Sequence, residues 1–89
     1  MPKIEIPARY RVPTRGAATI SIEGGTVRAC LEAAEAKYPG FGELVLDANG
    51  GLSRFVKLFV NGDPLGSDAL DSPVVSTDTI TVLAAAAGG

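Results

Sequence analysis

Three short stretches of the chain alternate polar and apolar residues, which is the pattern of a β-strand that buries one face. In each of them the isoleucines, or an isoleucine and a valine, fall on the same side. The three stretches are residues 3–6, 19–23 and 79–83. The first two stretches predict a hairpin with a long connection. We interpret that connection, which carries several arginines, as a solvated loop.

The strongest strand pattern covers residues 54–60. Its two valines and its leucine share one face, and Phe55 and Phe59 share the other with a lysine. An Asn-Gly pair at 61–62 follows directly and is a strong signal for a type I′ hairpin turn. Residues 63–65 are then expected to start a short return strand.

A helix is predicted over residues 27–37, where apolar residues recur every three to four positions and charged residues fill the other side. Thr26 is the expected N-cap, and the Pro-Gly pair at 39–40 stops the helix. Cys30 falls on the apolar side, so we expect it to be a buried hydrophobic group and not a reactive thiol. Residues 41–46 are expected to form a short helical turn that plugs one end of the core.

The order strand, strand, helix, strand, short strand, strand predicts an α+β domain. We expect a β-grasp (ubiquitin-like) roll, with a mixed sheet of four to five strands packed on one main helix and the last strand beside the first. A split β-α-β ferredoxin-like fold is the alternative, but it requires a second long helix. Residues 66–76 are too rich in Asp, Ser and Pro to supply that helix. The predicted domain covers residues 1–83, and residues 84–89 form a flexible Gly-Gly tail.

Length and charge limit the possible partners. The 89 residues suffice for one domain with a modest core, and the formal net charge is −2. The lysines and arginines are spread along the sequence, which argues against nucleic acid as a partner. No apolar run is long enough to cross a bilayer, and residues 1–5 lack the apolar core of a signal peptide. We therefore expect a cytoplasmic protein without a membrane partner.

One cysteine and no histidine exclude several kinds of chemistry. The chain lacks the ligands of an iron–sulfur cluster or a structural zinc site, and it cannot form an internal disulfide. It also cannot build a Ser-His or Cys-His pair for nucleophilic catalysis. We predict that the chain is not an enzyme and that it binds no metal or cofactor of its own.

The candidate chemistry lies in the last residues, where four alanines lead to Gly88 and Gly89. Glycine has no Cβ, so a Gly-Gly end can enter a narrow slot that other residues cannot. The terminal carboxylate is ionised at neutral pH and can attack the α-phosphate of ATP. The resulting acyl-adenylate is a good electrophile for a sulfur or amine nucleophile. Gly89 is therefore the predicted adenylation and thiocarboxylate residue, and Ala87 and Gly88 would enter the partner's active site with it.

The chain resembles the ThiS/MoaD family of β-grasp sulfur carriers in three motifs that occur in the family's order. These motifs are residues 54–62 (RFVKLFVNG), 78–83 (DTITVL) and 84–89 (AAAAGG). The Arg-Phe-Val strand before an Asn turn and the Ala-rich Gly-Gly tail are similar to those of the CysO-type carriers of cysteine biosynthesis. The plain alanines depart from relatives that often carry a proline or a larger residue there, and this departure concerns the choice of partner.

The resemblance implies a carrier cycle. A ubiquitin-activating-type adenylyltransferase would use ATP and Mg²⁺ to adenylate Gly89, and a sulfur donor would displace AMP to leave a thiocarboxylate. A client enzyme would then accept the sulfur. In CysO-like systems that client is a pyridoxal-phosphate cysteine synthase acting on an activated serine derivative, and a metalloprotease releases the cysteine. ATP, Mg²⁺ and pyridoxal phosphate would belong to the partners.

A docking surface for these partners is predicted on the open face of the sheet. If Val56, Leu58 and Val60 of the third strand face the helix, Phe55 and Phe59 lie on the open face of the sheet. Leu83 of the neighbouring last strand should join Phe59 there. Apolar residues clustered on a solvent-facing sheet often mark a partner site. The alternative is that the loop 8–17 or the segment 63–76 covers them.

Four functions remain open from the sequence. The favoured one is a sulfur carrier for cysteine or another small metabolite. A small subunit of molybdopterin synthase would use the same carboxylate, and so would a ubiquitin-like protein modifier that forms isopeptide bonds through Gly89. The fourth is a β-grasp interaction module whose tail has no function, since chain termini commonly fray.

Overall fold

The computed structural model describes residues 1–66 and 68–84, and within them five strands form one mixed sheet in the order β2-β1-β5-β3-β4. β5 lies parallel to β1 and antiparallel to β3. The last strand is therefore central and lies beside the first, which confirms the predicted β-grasp arrangement. The elements are β1 (Lys3–Glu5), a 3₁₀ turn (Ala8–Tyr10), β2 (Thr19–Ser21), α1 (Val27–Lys37), α2 (Phe41–Val45), β3 (Val56–Val60), β4 (Asp63–Pro64), a second 3₁₀ turn (Ala69–Asp71) and β5 (Thr79–Ala84).

The core lies between one face of the sheet and α1. Alternate residues of the strands are buried, as the period of two requires, and α2 closes the core with Phe41. Burying one such aliphatic or aromatic side chain stabilises a fold by about 1.5–3 kcal/mol. The largest fully buried side chains are Phe41, Ile4, Leu31, Leu58, Ile80, Val27, Val45, Val82 and Cys30.

Helix α1 begins and ends where the sequence predicts. The hydroxyl of Thr26 accepts a hydrogen bond of 3.1 Å from the backbone N–H of Ala29, which is the geometry of an N-cap. Cys30 is buried on the apolar side of the helix, and burial raises the pKa of its thiol. Gly24 lies against it so closely that a Cβ there would be 2.7 Å from the Cys30 Sγ. These contacts confirm that Cys30 is a core residue.

Strand β3 is shorter than predicted because Arg54 and Phe55 form a turn in front of it. The hydroxyl of Ser53 accepts a 3.3 Å hydrogen bond from the N–H of Phe55. The backbone carbonyl of Ser53 accepts one of 3.1 Å from the N–H of Val56. The turn uses backbone groups that the sheet ladder would otherwise need. Phe55 therefore does not follow the strand alternation on which its expected position rests.

The Asp-, Ser- and Pro-rich segment 66–76 contains the second 3₁₀ turn and contributes Leu70 and Val74 to the core. Val75 is 62% exposed. At the other end of the sheet, β5 extends through Ala84, because Ala84 pairs with Val56. The strand thus includes the first residue of the predicted tail.

The turn at 61–62 has the predicted type I′ character, since both Asn61 and Gly62 have positive φ angles (52° and 87°). It is tied to the start of β5 by side chains. The amide of Asn61 donates a 2.9 Å hydrogen bond to Asp78, and its oxygen accepts one of 2.9 Å from the N–H of Thr79. Asp78 also accepts a 2.9 Å hydrogen bond from the N–H of Val75.

Because of these hydrogen bonds, we expect the free energy of unfolding to fall at acid pH. The N–H of Val75, and then the Asn61 amide, lower the pKa of Asp78 in the folded protein. Asp78 therefore contributes stability above its unfolded-state pKa, and this contribution is lost as the pH falls through the folded-state pKa. We expect the difference in unfolding free energy between the wild type and Asp78→Ala to be constant near neutrality and to shrink below about pH 4. Urea unfolding at several pH values, with Asp63→Ala as the control, measures it. Parallel loss of stability in the wild type and Asp78→Ala would contradict the assignment.

Candidate tail exit and docking face

The described part of the candidate site is the end of β5, from which the tail continues. The predicted reactive residues Ala87, Gly88 and Gly89 lie outside the described residues. Leu83 and Ala84 are the last two residues of β5, and we call this end of the strand the tail exit.

Sheet topology brings three segments to this exit. β1 and β5 are parallel, so both end at the same edge of the sheet, and Pro7–Arg9 follow β1 there. β3 is antiparallel to β5 and begins at this edge, where Val56 pairs with Ala84. Arg54 and Phe55 immediately precede β3. The tail exit therefore has the segment 7–9 on one side and the turn 54–55 on the other.

A groove of about 430 Å³ runs beside the exit. It is lined by Pro7, Ala8, Arg9, Leu83 and Ala84, and Arg9 is the charged group among them. The groove thus combines apolar side chains with one cation.

The predicted docking residues occupy different positions at this end of the sheet. Leu83 is 45% exposed and lies opposite Lys57, while Phe59 is half-buried and lies opposite Thr81. Leu83 and Phe59 are therefore diagonal neighbours on the open face of the sheet, where such pairs lie about 7–8 Å apart. Pro64 of β4 pairs with Phe59 on its other side.

Phe55 is 46% exposed in the turn before β3, and the Arg54 guanidinium lies 4.9 Å from the centroid of its ring. The structure thus brings Leu83 and Phe59 together on one face and places Phe55 beside the tail exit. The docking role of all three residues stays a prediction.

The rest of this sheet face is polar. The hydroxyl of Thr81 donates a 2.7 Å hydrogen bond to the carboxylate of Glu5. The apolar side chains of this face therefore lie on β3, β4 and β5, whereas β1 and β2 present polar ones. The polar residues that share this face, by the strand registers, are Lys3, Glu5, Thr19, Ser21, Lys57, Thr79 and Thr81.

Sequence reasoning missed Arg9 and Arg54 as members of the site. It assigned Arg9 to a solvated loop and used Arg54 only as part of a motif. The parallel pairing of the first and last strands carries the missing signal, because it places whatever follows β1 beside the tail exit.

A second cavity, of about 570 Å³, lies between α1 and α2 and has an acidic rim that includes Glu32, Glu35, Glu43 and Asp47. Two of these carboxylates hold the backbone of the adjoining loops. Glu35 accepts hydrogen bonds from the N–H groups of Gly40 and Gly42, and Asp47 accepts them from Asn49 and Gly51. In the described part of the chain, no group of three or more Cys, Asp or Glu side chains is arranged to hold a metal ion. Within residues 1–66 and 68–84, no helix is long and apolar enough to cross a membrane.

Comparisons with known proteins agree with this architecture. The model of the ThiS family matches residues 4–89. The sulfur carrier protein CysO of Mycobacterium tuberculosis is 35% identical over 89 residues, which cover 97% of this chain and 96% of the relative. Its crystal structure aligns with a TM-score of 0.89 at 31% identity, over 97% of this chain and 100% of the other.

Two further solved structures are similar. A chain of the BexX/CysO complex of Amycolatopsis orientalis aligns with a TM-score of 0.90 at 29% identity, with full coverage of both chains. The small archaeal modifier protein 1 of Methanosarcina acetivorans has a TM-score of 0.84 at 20% identity, over 99% of this chain and 95% of the other, which shows the shared β-grasp fold alone. From the family match over residues 4–89 and the 35% identity to a curated relative along nearly the whole length of both, the chain belongs to the ThiS family.

Proposed function

We propose that this protein is a sulfur carrier whose Gly89 carboxylate is adenylated and converted to a thiocarboxylate. The observation that carries the proposal is the 35% identity to a sulfur carrier protein over 97% of the chain, and the family match extends to residue 89. The fold supports it, because β5 delivers the tail from the centre of the sheet. The protein would act as a carrier and not as a catalyst, with cysteine or another sulfur-containing metabolite as the destination of the sulfur.

The proposed cycle has two chemical steps on the tail. A carboxylate oxygen of Gly89 attacks the α-phosphate of ATP, which forms the acyl-adenylate and releases pyrophosphate. A sulfur nucleophile then attacks the acyl carbon, and AMP leaves. The small residues before Gly89 let the tail lie extended in a narrow channel during both steps.

The partners supply everything else that the cycle needs. A ubiquitin-activating-type adenylyltransferase would bind ATP and Mg²⁺, a client such as a pyridoxal-phosphate cysteine synthase would accept the sulfur, and a metalloprotease would release the product. The crystallised complex of a CysO relative with BexX is an example of partner binding by a protein of this fold. Since the cycle consumes ATP, we place it in the cytoplasm.

Docking to these partners is proposed to use Leu83, Phe59 and Phe55. Leu83 and Phe55 are each nearly half exposed although they are large and apolar. They lie around the tail exit, so a partner that receives the tail covers them at the same time. Interfaces take much of their affinity from a few apolar and aromatic anchors of this kind.

The intact mass of the protein, purified gently from its own host, tests the proposed function. We expect a species that is heavier by the difference between one sulfur and one oxygen atom, is lost on alkaline hydrolysis and maps to Gly89. An unmodified mass together with a ladder of larger conjugates would overturn the carrier role in favour of a protein modifier. If the protein instead transfers its sulfur only within a stable complex with a larger subunit, it is the small subunit of a molybdopterin synthase.

A further inference from the structure

We propose that Arg9 and Arg54 form a cationic collar around the tail exit, which pairs with carboxylates at the mouth of the channel in the activating enzyme. The inference rests on the proposed function and adds the chemistry of the partner's surface. The two residues belong to segments 45 positions apart in the sequence, and the sheet topology brings them to opposite sides of β5.

Three basic side chains lie around the exit. Arg9 lines the groove beside Leu83 and Ala84, Arg54 lies over the ring of Phe55, and Lys57 is directly opposite Leu83. The nearest acid on this face of the sheet by register is Glu5, whose carboxylate accepts the hydrogen bond from Thr81. The chain as a whole has a net charge of −2, so this local excess of cations does not follow from composition. An acidic partner surface is the complement of this arrangement.

Distance decides what the collar can contact. Gly89 is five positions beyond Ala84, and an extended segment of that length spans up to about 18 Å. With the tail extended in a channel, Gly89 and the nucleotide lie beyond the reach of Arg9 and Arg54. These arginines instead face the protein surface that surrounds the tail where it enters. A guanidinium pairs bidentately with a carboxylate, which fixes direction as well as adding attraction.

The collar is expected to act on docking and not on the chemical step. Charges at the rim of an interface mainly change the association rate and its salt dependence. We expect Arg9→Glu and Arg54→Glu each to raise the KM for the carrier about tenfold at low salt, with little change in kcat. The readout is ATP–pyrophosphate exchange by the adenylyltransferase of the same host, at several carrier concentrations. Higher salt should reduce the difference, because it screens exposed charges.

Lys3→Glu is the matched control. It makes the same change in charge at another exposed residue, but Lys3 pairs with Thr79 at the opposite end of β5. We expect its KM to stay within about twofold of the wild type. Arg9→Lys and Arg54→Lys keep the charge and should restore most of the affinity, and thermal unfolding of each variant checks the fold.

The outcomes separate this inference from the proposed function. If the wild type supports exchange but Arg9→Glu and Arg54→Glu have the same KM as Lys3→Glu, the proposed role of the collar is wrong and the carrier role stands. A fall in kcat at unchanged KM would place the arginines at the reacting atoms and would also overturn the collar. If the wild type supports no exchange at all, the proposed function fails first and the collar fails with it.

Discussion

Deleting Gly89 is expected to abolish adenylation while the protein stays folded. The deletion moves the terminal carboxylate back by one residue, which is about 3.5 Å along an extended tail. Reacting atoms must approach within about 3–3.5 Å, and a misplacement of about 1 Å already costs about a hundredfold in rate. We therefore expect ATP–pyrophosphate exchange to fall by a factor of at least about a thousand.

The fold should not respond to this deletion. The described strand pairing ends at Ala84, five positions before Gly89, so the unfolding free energy is expected to change by less than about 0.5 kcal/mol. Gly89→Ala is the matched variant, since it keeps the length and the carboxylate and adds one Cβ. A partial loss in that variant would report the narrowness of the slot. Exchange at the wild-type rate by the truncated protein would remove the central claim.

Replacing Leu83 by Asn is expected to weaken docking to the activating enzyme by about ten- to a hundredfold. The two side chains have nearly the same shape, and the substitution leaves the charge of the tail exit unchanged. In the complex it would bury an amide in an apolar contact, and an unsatisfied buried polar group costs about 1–3 kcal/mol. The effect should appear as a higher KM for the carrier in the exchange assay, with kcat nearly unchanged.

The control for this variant is Val75→Asn, which makes a similar change at an exposed aliphatic residue near the start of β5. We expect it to bind like the wild type. Phe59→Ala is the second docking variant, but Phe59 is half-buried, so its melting temperature must be measured alongside. Equal KM values for Leu83→Asn and Val75→Asn would show that the apolar end of the sheet is not the docking site.

Most of the fold could be predicted because its signals are local. Helix α1 carries its own period and its Thr26 cap, and the Asn-Gly pair specifies the turn after β3. The central position of β5 followed from the order of elements. The start of β3 could not be predicted, since the pattern of residues 54–60 fits a strand throughout. Hydrogen bonds to Ser53 decide that Arg54 and Phe55 turn instead.

The part of the candidate site that depends on residue type could be predicted. The part that depends on how the strands pair could not. The Gly-Gly tail and the apolar residues beside it follow from residue type alone. Arg9 carries no local signal, because its relation to the tail arises only when β1 and β5 pair in parallel. The antiparallel pairing of β3 with β5 sets the register that puts Lys57, and not Phe59, directly opposite Leu83.

The central position of β5 has a mechanical consequence. The strand is hydrogen-bonded to β1 on one side and to β3 on the other. A pull on its end along the strand direction therefore loads both ladders in shear, so that many hydrogen bonds resist together instead of opening one at a time. Core strands of this kind also open only with the whole domain. An enzyme that binds the tail could thus pull on the end of β5 without unfolding the domain.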